Sequence, residues 1–393
     1  MRIQRGTAAA VTVLLLLAAG CNRAADGTPD RGPGPGSAWR VRPHAFPAAF
    51  EWQSGPRILL TEPNGGCYLA LGEDSDGHGM RSGYWRASGD CTRPTRVGPS
   101  ARPLADGLPS QDTNSITDAV RLPDGDALLI ARHTFHNDAY AYETEIRRGN
   151  PTDGWHTVAQ FQTDSPRESH IGPRALVAVD GRFVAIGQKE SAAMVWISTD
   201  GIRWREVAVP DVTASFAAIA SGPDGRLVIL GTAGAGAASS WVSTDQGASW
   251  RAYPIAERGT ARLSTLVHAG SRFVALGTDD RGDLRGPAAM YTSPDGVTWT
   301  RDTSAAQAGV HAIVKALALP DGSLLAPADA GATNGAAKGG DNECAKVWRY
   351  HDGRWDAEDV GCYGIPDALA VLPDGRIAAA HWTTLYLHPP FGR

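Results

Sequence analysis

The stretch STDQGASW at Ser243–Trp250 has two near-copies in the chain, STDGIRW at Ser198–Trp204 and SPDGVTW at Ser293–Trp299. Each copy has a serine, an aspartate two positions later, then a glycine and a tryptophan. The copies begin about 45 to 50 residues apart, and a turn that recurs at such a period is typical of a repeated supersecondary unit. The chain of 393 residues is therefore predicted to repeat one structural unit.

The repeat around Ser243 divides into four strands. An apolar strand over 214–221 precedes the turn Pro223-Asp224-Gly225, and a second apolar strand follows over 226–231. A third strand over 240–243 leads into the serine–aspartate turn, and a fourth begins at Trp250. This alternation of strands and turns predicts a four-stranded antiparallel meander.

A second turn signal recurs along the chain with successive separations of 56, 44, 46, 51 and 53 residues, and an apolar strand follows each time. Its positions are Asp124, Asp180, Asp224, Gly270, Asp321 and Asp374. With a weaker copy over 57–99, the pattern predicts an all-β protein with seven four-stranded antiparallel blades, a β-propeller, or six blades if the first unit is misread. The last unit supplies three strands, and we expect Ala49–Gln53 to add the fourth and close the ring.

Four cysteines provide a separate test of the blade assignment. In a meander, the start of the second strand lies beside the end of the third, which is where Cys67 and Cys91 fall. The start of the third strand lies beside the end of the fourth, which is where Cys344 and Cys362 fall. We therefore predict the disulfides Cys67–Cys91 and Cys344–Cys362, and an even number of such cysteines is typical of an exported protein.

The N-terminus carries an export signal. Two arginines precede an apolar run over 8–19, which predicts a signal peptide over residues 1–20. The segment Leu17–Cys21 resembles the bacterial lipobox, in which the cysteine is lipidated. That resemblance implies anchoring through Cys21 to the outer face of the bacterial cytoplasmic membrane. We expect a flexible tether over residues 21–45, rich in Gly and Pro, and a single propeller domain over 46–393.

Charge limits the class of partner. The chain has a net charge of −5 and no run of basic residues, so a nucleic-acid ligand is not expected. Nothing in the pattern calls for a second copy, and we expect a monomer.

The repeated motif, Ser-x-Asp-x-Gly-x-x-Trp, resembles the Asp-box, or BNR repeat, of sialidase-like β-propellers. The resemblance covers about residues 57–389. A short aspartate accepts backbone N–H bonds in a tight turn, glycine supplies a left-handed conformation, and tryptophan packs between sheets. These are structural tasks, and we assign them to Asp200, Trp204, Asp245, Trp250, Asp295 and Trp299.

The resemblance directs attention to the opposite rim, where propellers usually bind their ligands. The innermost strands begin there, and we predict a ligand site formed by Arg57, Asp118, Arg174, Lys315 and Asp367. Sialidases need three arginines, a Tyr–Glu nucleophile pair and an aspartate acid/base. Their first arginine lies in a Phe/Tyr-Arg-Ile-Pro segment. Arg57 lies early in the first blade, as expected for that arginine, but its segment Pro56-Arg57-Ile58-Leu59 lacks the aromatic residue and the proline. Arg174 is a candidate for the second arginine, and no third arginine or tyrosine is placed.

The sequence therefore favours a non-catalytic binding or scaffold protein at the cell envelope, with a glycan or an envelope protein as its partner. The alternative is an exo-sialidase-like enzyme or another glycoside hydrolase. A third interpretation is an assembly factor for a membrane complex, as in some Asp-box propellers.

No cofactor and no metal is predicted. The segment Asp74-Ser75-Asp76-Gly77 resembles a short calcium loop but lacks the remaining ligands of a full one, so a structural Ca²⁺ is a minor alternative. His133 and His136 with Asp138 form a second minor alternative, a transition-metal site, which no recognised ligand spacing supports.

Overall fold

A computed structural model describes residues 32–48, 54–62, 65–75, 80–97, 113–135, 141–162, 172–189, 192–279, 286–311, 313–329 and 344–391. Within these ranges the chain is almost entirely β-strand, with one four-residue helix, α1 (Ser304–Gln307). No helix in the described ranges has the length and apolar character needed to cross a membrane.

The strands form a seven-bladed β-propeller of four-stranded antiparallel blades, as the repeat predicts. The first strand in the described part of the chain, β1 (Arg40–Arg42), belongs to the last blade. Blade 1 comprises β2 (Gly55–Thr61), β3 (Gly66–Ser75), β4 (Met80–Ser88) and β5 (Thr95–Arg96), and blade 2 comprises β6 (Thr113–Arg121), β7 (Ala127–Phe135), β8 (Ala141–Asn150) and β9 (Gly154–Gln162). Blade 3 comprises β10 (Gly172–Val179), β11 (Arg182–Lys189), β12 (Ala192–Ser198) and β13 (Arg205–Val207).

The remaining blades follow the same order from the innermost to the outermost strand. Blade 4 comprises β14 (Ser215–Ser221), β15 (Leu227–Thr232), β16 (Ala238–Ser243) and β17 (Arg251–Ala256), and blade 5 comprises β18 (Arg262–Ala269), β19 (Arg272–Thr278), β20 (Ala288–Ser293) and β21 (Thr300–Asp302). Blade 6 comprises β22 (Leu317–Ala318), β23 (Leu324–Asp329), β24 (Ala345–His351) and β25 (Arg354–Gly361). Blade 7 comprises β26 (Ala368–Val371), β27 (Ile377–His381), β28 (Thr384–His388) and β1.

The N-terminus closes the ring. β1 pairs antiparallel with β28, with Arg40 opposite Leu387 and Arg42 opposite Leu385. The predicted N-terminal closure is thus correct, but the closing strand is β1, which lies inside the segment 21–45 that the sequence assigns to the tether. The segment first expected in this place, Ala49–Gln53, lies outside the described residues.

Both predicted disulfides are present. Cys67 is bonded to Cys91 and Cys344 to Cys362, with Cα–Cα distances of 5.5 and 3.7 Å. Each bond joins neighbouring strand ends of one blade, beside the paired residues Gly66–Ser88 and Ala345–Gly361 respectively. The disulfides therefore confirm the phase of the blade assignment.

The three repeated turns share one hydrogen-bond pattern. Ser243 Oγ accepts the Gly247 N–H at 2.8 Å, Asp245 Oδ1 accepts the Ser249 N–H at 2.9 Å, and Trp250 Nε1 donates to the Gly247 carbonyl at 3.0 Å. The other copies repeat these bonds, with the Gly201 N–H 2.9 Å from Ser198 Oγ and the Gly296 N–H 2.8 Å from Ser293 Oγ. The aspartates and tryptophans of these turns are thus engaged in structural bonds within the hairpins.

Buried aromatic side chains fill the blade interiors along the third strands. Trp241 is fully buried, packs edge-on against Phe216 with ring centroids 5.0 Å apart, and donates from Nε1 to the Pro210 carbonyl at 3.0 Å. Most other blades have a buried aromatic residue on the corresponding strand: Trp85, Trp196, Tyr291, Trp348 and Tyr386. Each of these side chains packs between its own blade and the neighbouring one, so the aromatic residues anchor the blades to each other.

Candidate functional site

The innermost strands carry a repeated β-bulge near their first residues. In blades 1 to 5 the pairing with the second strand skips one residue, which is left unpaired. A bulge redirects the side chain of the extra residue, and these side chains are exposed or half-buried. The bulged residues are Arg57, Thr117, Arg174, Ala217 and Ser264. We call the rim that they share the channel mouth.

Glycine on the second strand permits the bulge. A Cβ on Gly72 or Gly187 would lie 2.0 Å from a carbonyl oxygen of the innermost strand, and one on Gly231 or Gly277 would lie 2.4 or 2.0 Å from the corresponding oxygen. Since real Cβ atoms do not approach so closely, these four glycines let the bulged innermost strand lie close against the second strand. Blade 2 is the exception, with Ala131 opposite Ile116.

On the second strand, the residue that follows this glycine, or Ala131 in blade 2, also contributes to the mouth. In blades 1 to 5 it lies opposite a residue near the start of the innermost strand. In blades 1 to 5 these residues are Glu73, Arg132, Gln188, Thr232 and Thr278. Blades 1 to 3 thus place charged or amide groups at the mouth, whereas blades 4 and 5 place small side chains there.

Arg57 and Asp367 meet at the seam between blades 1 and 7. Arg57 Nη1 donates to Asp367 Oδ2 at 2.6 Å, and its Nη2 donates to Glu73 Oε2 at 3.2 Å. His381 of β27 has its Nδ1 3.9 Å from Asp367 Oδ1, and its ring stacks on Trp382 at 4.9 Å. The structure therefore brings together two predicted residues and adds Glu73 and His381, which the sequence analysis did not select.

Asp118 lies beside the bulge of blade 2 but serves as a link between blades. Its Oδ2 accepts the Leu176 N–H of blade 3 at 2.7 Å, and its Oδ1 accepts the Ala119 N–H at 2.9 Å. Desolvation raises the pKa of Asp118 to about 6, against the opposing effect of these two bonds and of the Lys315 charge. Asp118 is half-buried with both oxygens bonded to backbone N–H groups, whereas the bulged residue Thr117 is exposed; a part for Asp118 in ligand binding stays a prediction.

We expect Asp118→Asn to remove a pH dependence of stability. The native carboxyl group has a pKa near 6 instead of 3.8, so the native state binds its proton more tightly than the unfolded chain does. This contribution to stability is fully present below about pH 4 and is lost as the pH rises through about 6. Chemical denaturation between these values should show the wild type losing stability relative to the variant. Asp352→Asn, at a 95% exposed side chain, is the matched control and should keep the wild-type slope; parallel curves for wild type and Asp118→Asn would contradict the assignment.

Arg174 and Lys315 lie in different parts of the rim. Arg174 is exposed and donates from Nη1 to the Phe216 carbonyl of blade 4 at 3.0 Å. Lys315 is exposed where the chain enters blade 6, next to Val314, whose exposure is 63%. Among the five predicted residues, Arg57 and Asp367 are in direct contact, and the charge of Lys315 acts on the carboxyl group of Asp118.

A cavity of about 280 Å³ opens at the mouth between blades 2, 3 and 4. Both bulged residues of blades 2 and 3 line it, and so does the bulged Ala217 of blade 4. Its lining residues are Thr117, Arg132, Thr144, Gly172, Pro173, Arg174, Gln188 and Ala217. Of these, Arg174 alone is predicted from the sequence. Gln188 could have been found from the glycine that precedes it, Gly187, because the residue after this glycine lies at the mouth.

The minor metal hypotheses receive no ligand set from the described ranges, where no group of three His, Cys, Asp or Glu side chains has a suitable arrangement. His133 is buried with its Nε2 3.4 Å from Glu145 Oε2, and Arg147 Nε donates to the same oxygen at 2.6 Å. Asp74 is buried and forms an ion pair with Arg96. Asp76, His136 and Asp138 lie outside the described residues.

No protein-family model matches the chain, and no curated protein sequence matches it. Solved structures do match. The structure "YCF48 bound to D1 peptide" has a TM-score of 0.55 at 10% identity over 90% of this chain and 96% of that one. Virginiamycin B lyase from Staphylococcus aureus has a TM-score of 0.54 at 10% identity, over 90% and 99%.

A glycoside hydrolase also shares the architecture. The GH74 xyloglucanase from Xanthomonas campestris has a TM-score of 0.51 at 16% identity, over 88% of this chain and 52% of that one. At these identities the likeness concerns the fold, and the three proteins named differ in what they do. The class that the fold and the mouth define is a seven-bladed β-propeller with a polar channel mouth.

Proposed function

We propose that this protein is a non-catalytic binding protein of the bacterial cell envelope that holds a glycan or a protein partner over the channel mouth. One observation carries the proposal: the bulges of blades 1 to 5 direct one residue each to this rim, and a cavity opens between them. A repeated device that presents side chains on rigid strands suits recognition of an external ligand.

The carboxylates at the mouth support binding over hydrolysis. A glycoside hydrolase needs a carboxyl group with a raised pKa to act as acid, and a second carboxylate at a set separation. Among the described residues, Asp118 is the carboxyl group with a resolved raised pKa, and backbone N–H groups occupy both its oxygens. Glu73 and Asp367 are both bonded to Arg57. Hydrolysis remains the second candidate because these two carboxylates share one rim.

The proposed location is the outer face of the cytoplasmic membrane, with Cys21 as the lipidated anchor. Two disulfides support export to an oxidising compartment. Ser37 and Ala38 already bond Glu358 of blade 6, which leaves about 15 residues between Cys21 and the propeller, a chain long enough to span roughly 50 Å when extended. The YCF48 structure, which contains a bound peptide, is a precedent for a propeller of this kind that binds a protein segment.

A screen of the full-length protein on arrays of bacterial envelope glycans and against solubilised envelope proteins, together with a panel of fluorogenic glycosides, tests the proposal. We expect retention of one class of glycan, or of an envelope protein, with no turnover of any glycoside. Turnover that is lost in Asp367→Asn or Glu73→Gln would overturn the proposal in favour of the hydrolase.

A further inference from the structure

We propose that Trp382, with the adjoining Arg57, Glu73 and Asp367, forms a subsite for one hexopyranose unit of a glycan ligand. The inference rests on the proposed binding function and selects the glycan from the two kinds of partner named there. Trp382 lies in the turn that joins β27 to β28, and this turn borders the start of β2 at the channel mouth.

The turn that presents Trp382 has a strained backbone. His381 pairs with Thr384, so Trp382 is the first of two loop residues in this hairpin, and its φ is +46°. Glycine is favoured where the first loop residue has a positive φ, because a bulky side chain is strained there. Asp180 also has a positive φ, but its short polar side chain tolerates the conformation. Residues held under such strain cluster at ligand-binding sites.

Neighbouring segments hold the strained turn in place. The Thr383 carbonyl accepts the Phe46 N–H at 3.1 Å. A Cβ on Gly55 would lie 2.2 Å from the Trp382 carbonyl oxygen, so glycine at this position allows the start of β2 to lie against the turn. Contacts from two other segments thus fix the position of the tryptophan, as a preorganised binding site requires.

The packing of the blades does not account for a tryptophan at this position. Trp382 is half-buried and belongs to none of the apolar core clusters that the described residues form. Its ring stacks on the His381 ring, with centroids 4.9 Å apart and an angle of 23° between the planes. The stack supports one face of the indole, and in the proposed subsite the other face receives the sugar.

Polar groups beside the aromatic pair match the hydroxyl groups of a sugar. His381 Nδ1 is 3.9 Å from Asp367 Oδ1, which places the carboxyl group of Asp367 next to the stacked rings. Arg57 bonds Asp367 and Glu73, and the three side chains have exposures of 41%, 28% and 13% respectively. A hydroxyl group both donates and accepts hydrogen bonds, so a guanidinium group beside two carboxylates satisfies both of its capacities.

A flat aromatic ring beside mixed polar groups suits a hexopyranose. The ring of such a sugar has C–H bonds on a flat face and hydroxyl groups at its edge. The C–H face packs on the indole while the edge reaches Arg57, Glu73 and Asp367, in the usual combination of an apolar surface with a few placed polar groups. One tryptophan covers one sugar unit, so the rest of a longer glycan continues across the mouth.

Titration calorimetry of the full-length protein with cellotriose, chitotriose, a galactose trisaccharide and sorbitol tests the subsite. We expect at least one trisaccharide to bind and sorbitol not to bind, because sorbitol has hydroxyl groups but no rigid ring with a C–H face. Trp382→Gly should weaken the trisaccharide by about tenfold or more, the effect of losing a central aromatic contact. Trp382→Phe keeps an aromatic ring and should weaken it less.

Unfolding midpoints distinguish a ligand-binding tryptophan from a structural one. Trp382→Gly and Trp382→Ala both remove the ring, but glycine adopts a positive φ at no steric cost, so we expect the glycine variant to be the more stable of the two. Trp299→Ala is the matched control, because Trp299 is half-buried at the opposite rim and donates from Nε1 to the Gly296 carbonyl at 2.9 Å. It should lose stability but bind the trisaccharide as the wild type does.

The subsite is wrong if no trisaccharide binds, if sorbitol binds as tightly as the trisaccharides, or if Trp382→Gly binds as the wild type does. Should Trp382→Gly fail to fold, Arg57→Gln decides: a loss of about tenfold supports the subsite, and normal binding overturns it.

The envelope screen separates this inference from the proposed function. If the protein retains an envelope protein and no glycan, or retains a glycan equally well as Trp382→Gly, the binding function stands and the subsite falls. If no envelope ligand is retained while a trisaccharide binds and Trp382→Gly loses it, the subsite stands and the proposed function falls.

Discussion

Trp241→Ala is expected to lower the free energy of unfolding by about 3–5 kcal/mol, the range for removing a buried tryptophan from a packed core. Trp241 is fully buried in the third strand of blade 4, contacts Phe216 edge-on and donates to the Pro210 carbonyl. Its loss leaves a cavity between blades 3 and 4 and an unsatisfied carbonyl in the segment that connects these blades. Chemical denaturation followed by far-ultraviolet circular dichroism measures the change.

Trp204→Ala is the matched control for this prediction. Trp204 belongs to the repeated turn of blade 3, is only partly buried, and donates from Nε1 to the Gly201 carbonyl at 3.3 Å. Its removal exposes less apolar surface, and we expect a clearly smaller loss of stability. Equal losses for the two variants, or a loss below about 1 kcal/mol for Trp241→Ala, would show that the third-strand aromatics do not anchor the blades.

Removing either disulfide is expected to cost about 3 kcal/mol of stability. The two bonds join residues 24 and 18 positions apart, and cross-links of this length restrict the unfolded chain by roughly that free energy. The paired substitutions Cys67→Ala with Cys91→Ala, and Cys344→Ala with Cys362→Ala, should each lower the unfolding midpoint. A reductant should lower the midpoint of the wild type further than that of either paired variant.

Cys21→Ala is the control for the disulfide experiment, since Cys21 belongs to neither bond. Its unfolding midpoint should equal that of the wild type, both without reductant and with it. A wild-type midpoint that does not respond to reductant, under conditions where both bonds are shown to be open, would be the contrary result.

The sequence predicts the blades well because their signals are local. The turn of Ser243–Trp250 and the Asp-Gly turns have residue types that the backbone geometry requires, and apolar runs mark the strands between them. The same assignment of strands to blades places the cysteines at neighbouring strand ends, and so predicts the two disulfides. A closing strand is harder to predict, because β1 has only three residues and its partner β28 lies at the far end of the chain. Ala49–Gln53 has the stronger strand composition, but composition does not show which segment reaches the open edge.

The site is less predictable because it depends on the register of the strands. Arg57 and Arg174 reach the mouth as bulged residues, and a one-residue irregularity leaves no periodic signal in the sequence. At the corresponding place in blade 2, the bulge exposes Thr117 and leaves Asp118 to bond Leu176. The sequence signal for this position is the glycine of the second strand, such as Gly187 before Gln188. Glycine is needed there because the innermost strand approaches closely.

The central claim is that the channel mouth is the binding face. It is tested most directly by measuring ligand binding after each of two native alanines is replaced by tryptophan. Ala217 is the bulged residue of blade 4 and lines the cavity, whereas Ala248 is exposed in the repeated turn of the same blade at the opposite rim. With the ligand retained in the envelope screen, Ala217→Trp should weaken binding at least tenfold by filling the mouth, and Ala248→Trp should bind as the wild type does. Weakened binding in Ala248→Trp with normal binding in Ala217→Trp would place the ligand on the opposite rim and contradict the claim.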